Sequence, residues 1–233
     1  PEKNRVAIVS ENARETTVTI LNTTTNTQQQ VFGTTDFFIS TSAPEHTLRW
    51  SPRDTDSFLI SLLSRETREE HTFLVHIDTH SATDVKDIMN VPHPREVRWN
   101  PRANTLFFLS GTTLFNLPLD TPLQEVVLSE NVEAYDSIGN MLVTLEPRTG
   151  ILYQFPIGNS VNKEQLTTAP PEGFPTIHDT PFSLVAYDKT RIALLNQESG
   201  DLFLFNRGET GEWFKQLSRG AKGVQFSDDG KKL

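Results

Sequence analysis

A hairpin recurs five times along this chain, and that repetition constrains the fold more than any other feature. Each copy has a short apolar strand ending in an aromatic residue, a tight polar turn, and a second apolar strand. The copies read LRWSPRDTDSFLISL (Leu48–Leu62), VRWNPRANTLFFL (Val97–Leu109), EAYDSIGNMLVTL (Glu133–Leu145), VAYDKTRIALL (Val185–Leu195) and VQFSDDGKKL (Val224–Leu233). Such self-similarity means that each copy is one unit, able to bury its faces only against its neighbours.

The first strands end at Trp50, Trp99, Tyr135, Tyr187 and Phe226, at intervals of 49, 36, 52 and 39 residues. Those intervals scatter around the roughly 40–45 residues that one four-stranded blade of a β-propeller occupies. Each interval holds four strand-like segments. The second blade reads His46–Trp50, Phe58–Leu63, Thr72–Asp78 and Asp84–Met89. The third reads Glu96–Trp99, Thr105–Leu109, Thr113–Leu117 and Gln124–Leu128. The fourth reads Val132–Tyr135, Met141–Leu145, Ile151–Phe155 and Glu164–Thr167, and the fifth Phe182–Tyr187, Arg191–Leu195, Asp201–Asn206 and Trp213–Leu217. Gly111, Gly150 and Gly200 stand just before three of the third strands, where a hairpin turn calls for positive φ. The second strands are apolar on both faces, as strands sandwiched between neighbouring sheets must be.

The two ends are complementary. Arg5–Ser10, Thr17–Leu21 and Gln28–Phe32 read as second, third and fourth strands without a first, and Gly223–Ser227 reads as a first strand. Together they complete one blade, which would protect otherwise open sheet edges. The expected fold is all-β: five four-stranded blades with N- and C-terminal strands sharing one of them, in a single domain over 1–233. The alternative is a segment of a larger propeller of six to eight blades.

The net charge is -9 with a pI near 5.2. Nonspecific nucleic-acid binding draws on a basic face, so no nucleic-acid partner is expected. There are no cysteines, which removes disulfides, thiol catalysis and cysteine metal sites. No apolar run approaches the roughly 18 residues of a membrane span, so no membrane insertion is expected from this segment. The chain opens Pro1-Glu2 without Met, which reads as trimmed.

WSPRDTDSFLIS, WNPRANTLFFLS and FSDDGKKL resemble the Trp-Ser-Pro-Asp-Gly-Lys-Lys-Leu hairpin of TolB-like propellers, the WD40-like repeats with Pro-Asp turns. Copies span essentially the whole chain; those at Tyr135 and Tyr187 lack the Pro. The resemblance implies a protein-binding platform or a substrate gate beside a hydrolase. It also implies a bacterial cell-envelope setting, periplasmic or at the cell surface.

On such a fold the loops carry function, because packing uses up the strands. The long loops on one face contribute Phe37, Phe38, Arg65, Arg68, Phe174 and His178, and aromatics with Arg are what interface centres favour. The bland reading is that Phe37 and Phe38 form an extra strand, Asp36–Ser40. Arg49 and Arg98 occupy equivalent positions in consecutive first strands. They form either an anion-attracting spot or ion pairs with carboxylates such as Glu45 and Glu96. His71, His76 and His80 read as packing or surface histidines and not as a metal site, since His71 and His76 have opposite strand parity.

There is no Gly-x-Ser-x-Gly elbow, P-loop or Gly-x-Gly-x-x-Gly. No enzyme activity, cofactor or metal is expected. The first functional expectation is a non-enzymatic scaffold that binds protein partners through its loop-rich face. The alternatives are a gating domain for a hydrolase outside this sequence, and a glycan-active or glycan-binding propeller. A glycan-active propeller would need convergent carboxylates on different blades, for which Glu133, Glu96 and Asp179 are the candidates.

Overall fold

The computed structural model describes residues 4–39, 47–120, 124–175, 181–208, 211–227, 229–230 and 232–233. Among the described residues it is built from antiparallel sheets, with single-turn 3-10 helices at Val85–Asp87 and Ser160–Asn162. Together these sheets define an all-β, β-propeller fold.

The strands run β1 (Arg5–Glu11), β2 (Thr16–Asn22), β3 (Thr27–Thr34), β4 (Phe37–Phe38), β5 (Leu48–Trp50), β6 (Ser57–Ser64), β7 (Glu70–His76) and β8 (Ser81–Asp84). Next come β9 (Arg95–Trp99), β10 (Thr105–Ser110), β11 (Thr113–Pro118), β12 (Val126–Ser129), β13 (Ala134–Ile138), β14 (Met141–Leu145), β15 (Leu152–Pro156) and β16 (Glu164–Gln165). The last four are β17 (Phe182–Asp188), β18 (Arg191–Asn196), β19 (Leu202–Gly208) and β20 (Gly211–Ser218). Three sheets have four strands in simple order, β9–β12, β13–β16 and β17–β20. The β4–β8 sheet gains a fifth strand, because both β4 and β5 pair with β6. The N-terminal sheet is the three-stranded β1–β2–β3.

Two segments depart from the sequence reading. The expected fourth strand Asp84–Met89 is displaced: the fourth strand is Ser81–Asp84 and ends where the expected one begins. There the carboxylate accepts from Lys86 N at 3.1 Å and starts a 3-10 turn that buries Val85. A side-chain acceptor next to a backbone donor offers the chain an alternative to the sheet ladder. At the other end, Gly223–Ser227 forms no strand among the described residues. Val224 and Phe226 pack instead on Val185, Ala193, Leu195, Leu202 and Leu204 of the β17–β20 sheet, and the Phe226 ring lies 5.8 Å from Tyr187.

The chain divides into two compact units, Pro1–Ser110 with Asn116–Val126, and Gly111–Phe115 with Val127–Leu233. In the first, Val18, Ile20, Val31 and Phe32 of one sheet meet Phe58, Ile60, Leu62 and Val75 of the next. In the second, Val143, Leu145, Leu152, Leu184, Ile192, Leu194, Phe203 and Phe205 form the core. The middle strands β6, β10, β14 and β18 are buried nearly throughout, as strands covered on both faces should be. Gly111, Gly150 and Gly200 take φ of 56°, 66° and 70°, the turn conformation expected at these positions.

Candidate functional site

The register of the β4–β8 sheet sorts its residues onto two faces, since cross-strand partners share a face and neighbours along a strand alternate. Leu48, Trp50, Phe58, Ile60, Phe73, Val75 and Phe37 face the apolar core described above. The opposite face carries Arg49 opposite Leu59, Ser61 opposite Thr72, and Leu63 between Phe38 and Glu70. This second face is unexpectedly polar. Arg49 Nη2 donates to Ser61 Oγ at 3.0 Å, and Ser61 Oγ lies 3.0 Å from Thr72 Oγ1. Ser61 and Thr72 are buried in mid-strand, where the guanidinium hydrogen bond makes a polar side chain tolerable.

The neighbouring innermost strand, β9, brings a second charged group. Its pairing with β10 slips by one residue, so Glu96 and Val97 stand opposite Phe108 alone. Glu96 is the bulge residue, at a φ of 54°. A left-handed, non-glycine residue costs roughly 1–3 kcal/mol and persists only where its surroundings impose it. The bulge has a geometric effect. Arg95 and Arg98, three residues apart, would point to opposite faces of a regular strand, but the extra residue turns both to the same one. Arg98 Nη2 then donates to Glu96 Oε2 at 2.9 Å, both side chains being largely buried.

The electrostatics follow from these positions. Burial raises the Glu96 pKa, but the charge and hydrogen bond of Arg98, with Arg49 and Arg95 behind it, more than offset that and hold it below the ordinary glutamate value. Glu70 shifts the other way. Its side chain reaches solvent, yet protein crowds the carboxyl; that crowding and the charge of Glu96 raise its pKa, while Arg49 opposes. Arg49 and Arg98, read from the sequence as one column, therefore belong to a mixed cluster with Glu70, Arg95 and Glu96. Glu70 and Arg95 were not legible as its members.

The loop end of the same sheet face carries a second cluster. The two-residue strand β4 sends Phe37 inward, where its ring meets Phe73 at 5.0 Å edge-on and His71 at 4.9 Å. Phe38 points the other way, half-buried. The β6–β7 turn brings both candidate arginines to that ring: Arg65 Cζ lies 5.7 Å and Arg68 Cζ 4.8 Å from its centroid. The turn is tied by Arg65 N to Asp36 O at 2.8 Å, and by Glu66 N and Thr67 N to Ser64 Oγ at 3.3 and 3.2 Å. Arg68 closes it at a φ of 64°.

The other candidates fall elsewhere. Phe174 is half-buried; it stacks on Phe182 at 5.0 Å and contacts Phe203 at 5.6 Å, so its ring is committed to the core of the second unit. Its seat requires Gly150, where a Cβ would stand 2.7 Å from the Phe174 ring. His178 and Asp179 lie outside the described residues, as does Glu45. His71 Nδ1 meets Asp84 Oδ2 at 2.6 Å, His76 Nδ1 meets Ser57 Oγ at 2.8 Å, and His80 meets Gln29. The three histidines therefore have separate partners. Among the described residues no group of three His, Asp or Glu side chains is placed to hold a metal ion.

No protein-family model matches the chain, and no curated protein matches it. Its likeness is to solved β-propeller structures. The N-terminal domain of Nup159 superposes with a TM-score of 0.56 at 13% identity, over 91% of this chain and 58% of that one. The propeller domain of the trilobed protease from Pyrococcus furiosus gives 0.52 at 15% identity, over 93% and 69%. TolB from Acinetobacter baumannii gives 0.50 at 16% identity, over 98% and 56%. The chain thus spans somewhat more than half the length of Nup159 and TolB structures that it matches.

Proposed function

We propose that this chain is a non-enzymatic propeller scaffold that binds protein partners through its loop-rich face, in the bacterial envelope setting that its hairpin resemblance implies. The observation that carries this reading is the Phe38–Arg65–Arg68 cluster. Strand after strand of the fold is consumed by sheet-on-sheet packing, whereas this turn presents an aromatic ring and two guanidiniums at a loop. Aromatic and Arg side chains dominate interface energetics. A likeness to a chain in an S. cerevisiae complex described as Dbp5 bound to Nup159, at a TM-score of 0.53 and 12% identity, lends support, since there a related fold takes part in a protein complex.

The test is reconstitution. Proteins captured from the source cells by the immobilised chain are purified singly, and their binding is measured by calorimetry against the parent and against Arg65→Gln/Arg68→Gln. Saturable binding that the double variant weakens supports the reading. Failure of every purified candidate to bind, or binding that ignores the substitutions, overturns it.

A further inference from the structure

We propose that the Phe38–Arg65–Arg68 cluster docks an acidic, carboxylate-bearing segment of a protein partner, an inference that rests on the scaffold reading above. The argument starts from charge. Arg5, Arg98, Arg191 and Arg207 each meet a carboxylate, on Asp56, Glu96, Asp188 and Glu212 respectively. Arg65 and Arg68 meet none among the described residues. Two guanidiniums that form no ion pair thus stand beside one ring, in a chain whose net charge is -9.

Geometry narrows the ligand. Nε and Nη2 of Arg65 are buried and have no hydrogen-bond acceptor. These two nitrogens form one edge of the guanidinium, with parallel N–H bonds that match the two oxygens of a carboxylate. A buried donor edge without an acceptor has lost its water and gained nothing in return. A carboxylate reaching it would supply both hydrogen bonds at once. Entry requires a side-chain shift, and Arg68, exposed and beside the same ring, has the freedom to make it.

The surroundings favour a peptide over a bare anion. The Phe38 ring offers apolar surface next to the charges, so a segment with a carboxylate beside an apolar residue would use both. Glu66 and Glu69 stand exposed on the same turn and bridge to neither arginine. They repel an acidic ligand, and the negative charge of the remaining chain opposes its approach at longer range. Binding therefore depends on the carboxylate meeting the guanidiniums themselves.

The experiment titrates the whole chain against a fluorescein-labelled, end-capped Glu-rich peptide carrying one Leu, with the Gln-for-Glu peptide as control. It follows anisotropy, and the arginine Nε–Hε resonances by NMR. The expected result is binding of the Glu peptide with a displaced Arg65 Nε–Hε signal, and affinity weakened about tenfold or more for the Gln peptide. Arg65→Gln and Arg68→Gln, separately and together, should lower affinity while melting as the parent does; the single Arg68 variant serves if the double one folds poorly. Equal binding of both peptides, or unchanged binding by the variants, overturns the proposal. So does full displacement by inorganic phosphate with no peptide preference, which would mean a simple anion site. If the peptide fails while a reconstituted partner still requires both arginines, the acidic ligand is wrong and the scaffold reading stands.

Discussion

Trp99 Nε1 donates to the main-chain oxygen of Arg49 at 2.9 Å, joining the innermost strands of two successive sheets. The second unit has a join of a different kind between successive first strands, where Asp136 Oδ2 accepts from Ala186 N at 2.9 Å. Both contacts span 50 residues of sequence. Trp99 is therefore a fastening to the preceding repeat as well as a packing residue.

Trp99→Phe keeps most of the apolar contact but removes the donor. The Arg49 oxygen then loses its indole partner, a cost of about 1–3 kcal/mol. Urea denaturation followed by fluorescence of the remaining tryptophans should show a lower midpoint with an unchanged slope.

Gly150→Ala should destabilise the second unit. The φ of 66° disfavours any side chain, and the added Cβ would press on the Phe174 ring and on Pro170. The strain alone is worth roughly 1–3 kcal/mol. Phe174→Leu combined with Gly150→Ala should lose less stability than the two single effects added together, which thermal melting of the four proteins would measure.

Glu96 and Glu70 should have opposite effects on pH dependence. The folded-state pKa of Glu96 lies below its ordinary value of 4.5. Its contribution is present above that value and disappears as pH falls through the folded one. Glu96→Gln should lower stability at neutral pH and flatten the acid limb. Glu70 has a raised pKa, so its ionised form is the disfavoured one in the fold. Glu70→Gln should raise stability at neutral pH and change little in acid. Chemical denaturation across an acid-to-neutral series gives both signs.

Ser57 Oγ donates to Asp54 Oδ2 at 2.5 Å and meets His76 Nδ1 at 2.8 Å while itself buried. Ser57→Ala removes a partner from Asp54 in the β5–β6 turn and from His76 at the end of β7. A loss of about 1–3 kcal/mol is expected, with faster hydrogen exchange confined at first to that hairpin.

The fold was legible because its signal is periodic. Trp50, Trp99, Tyr135 and Tyr187 mark first strands, and the paired hairpins around them recur at intervals no other architecture explains as simply. The charged cluster was only half legible. Arg49 and Arg98 were visible as equivalent positions, but Arg95 was hidden by a bulge that reverses its parity. Glu70 was hidden because its sheet partner, Leu63, belongs to a strand read simply as apolar. The loop cluster was visible in composition, as Phe38, Arg65 and Arg68; their convergence on one ring depends on the β4–β6 pairing. Phe174 shows the converse. An aromatic in a long loop reads as exposed, and a neighbouring glycine gives it a seat in the core.

The two-residue strand β4 has an experimental use. Phe37 and Phe38 occupy adjacent codons, yet one ring belongs to the interior and the other to the loop surface. A scan across that pair can separate folding from recognition within a single dipeptide: substitutions at Phe37 report on the first, those at Phe38 on the second. A one-codon insertion before it would exchange the assignments and spoil both.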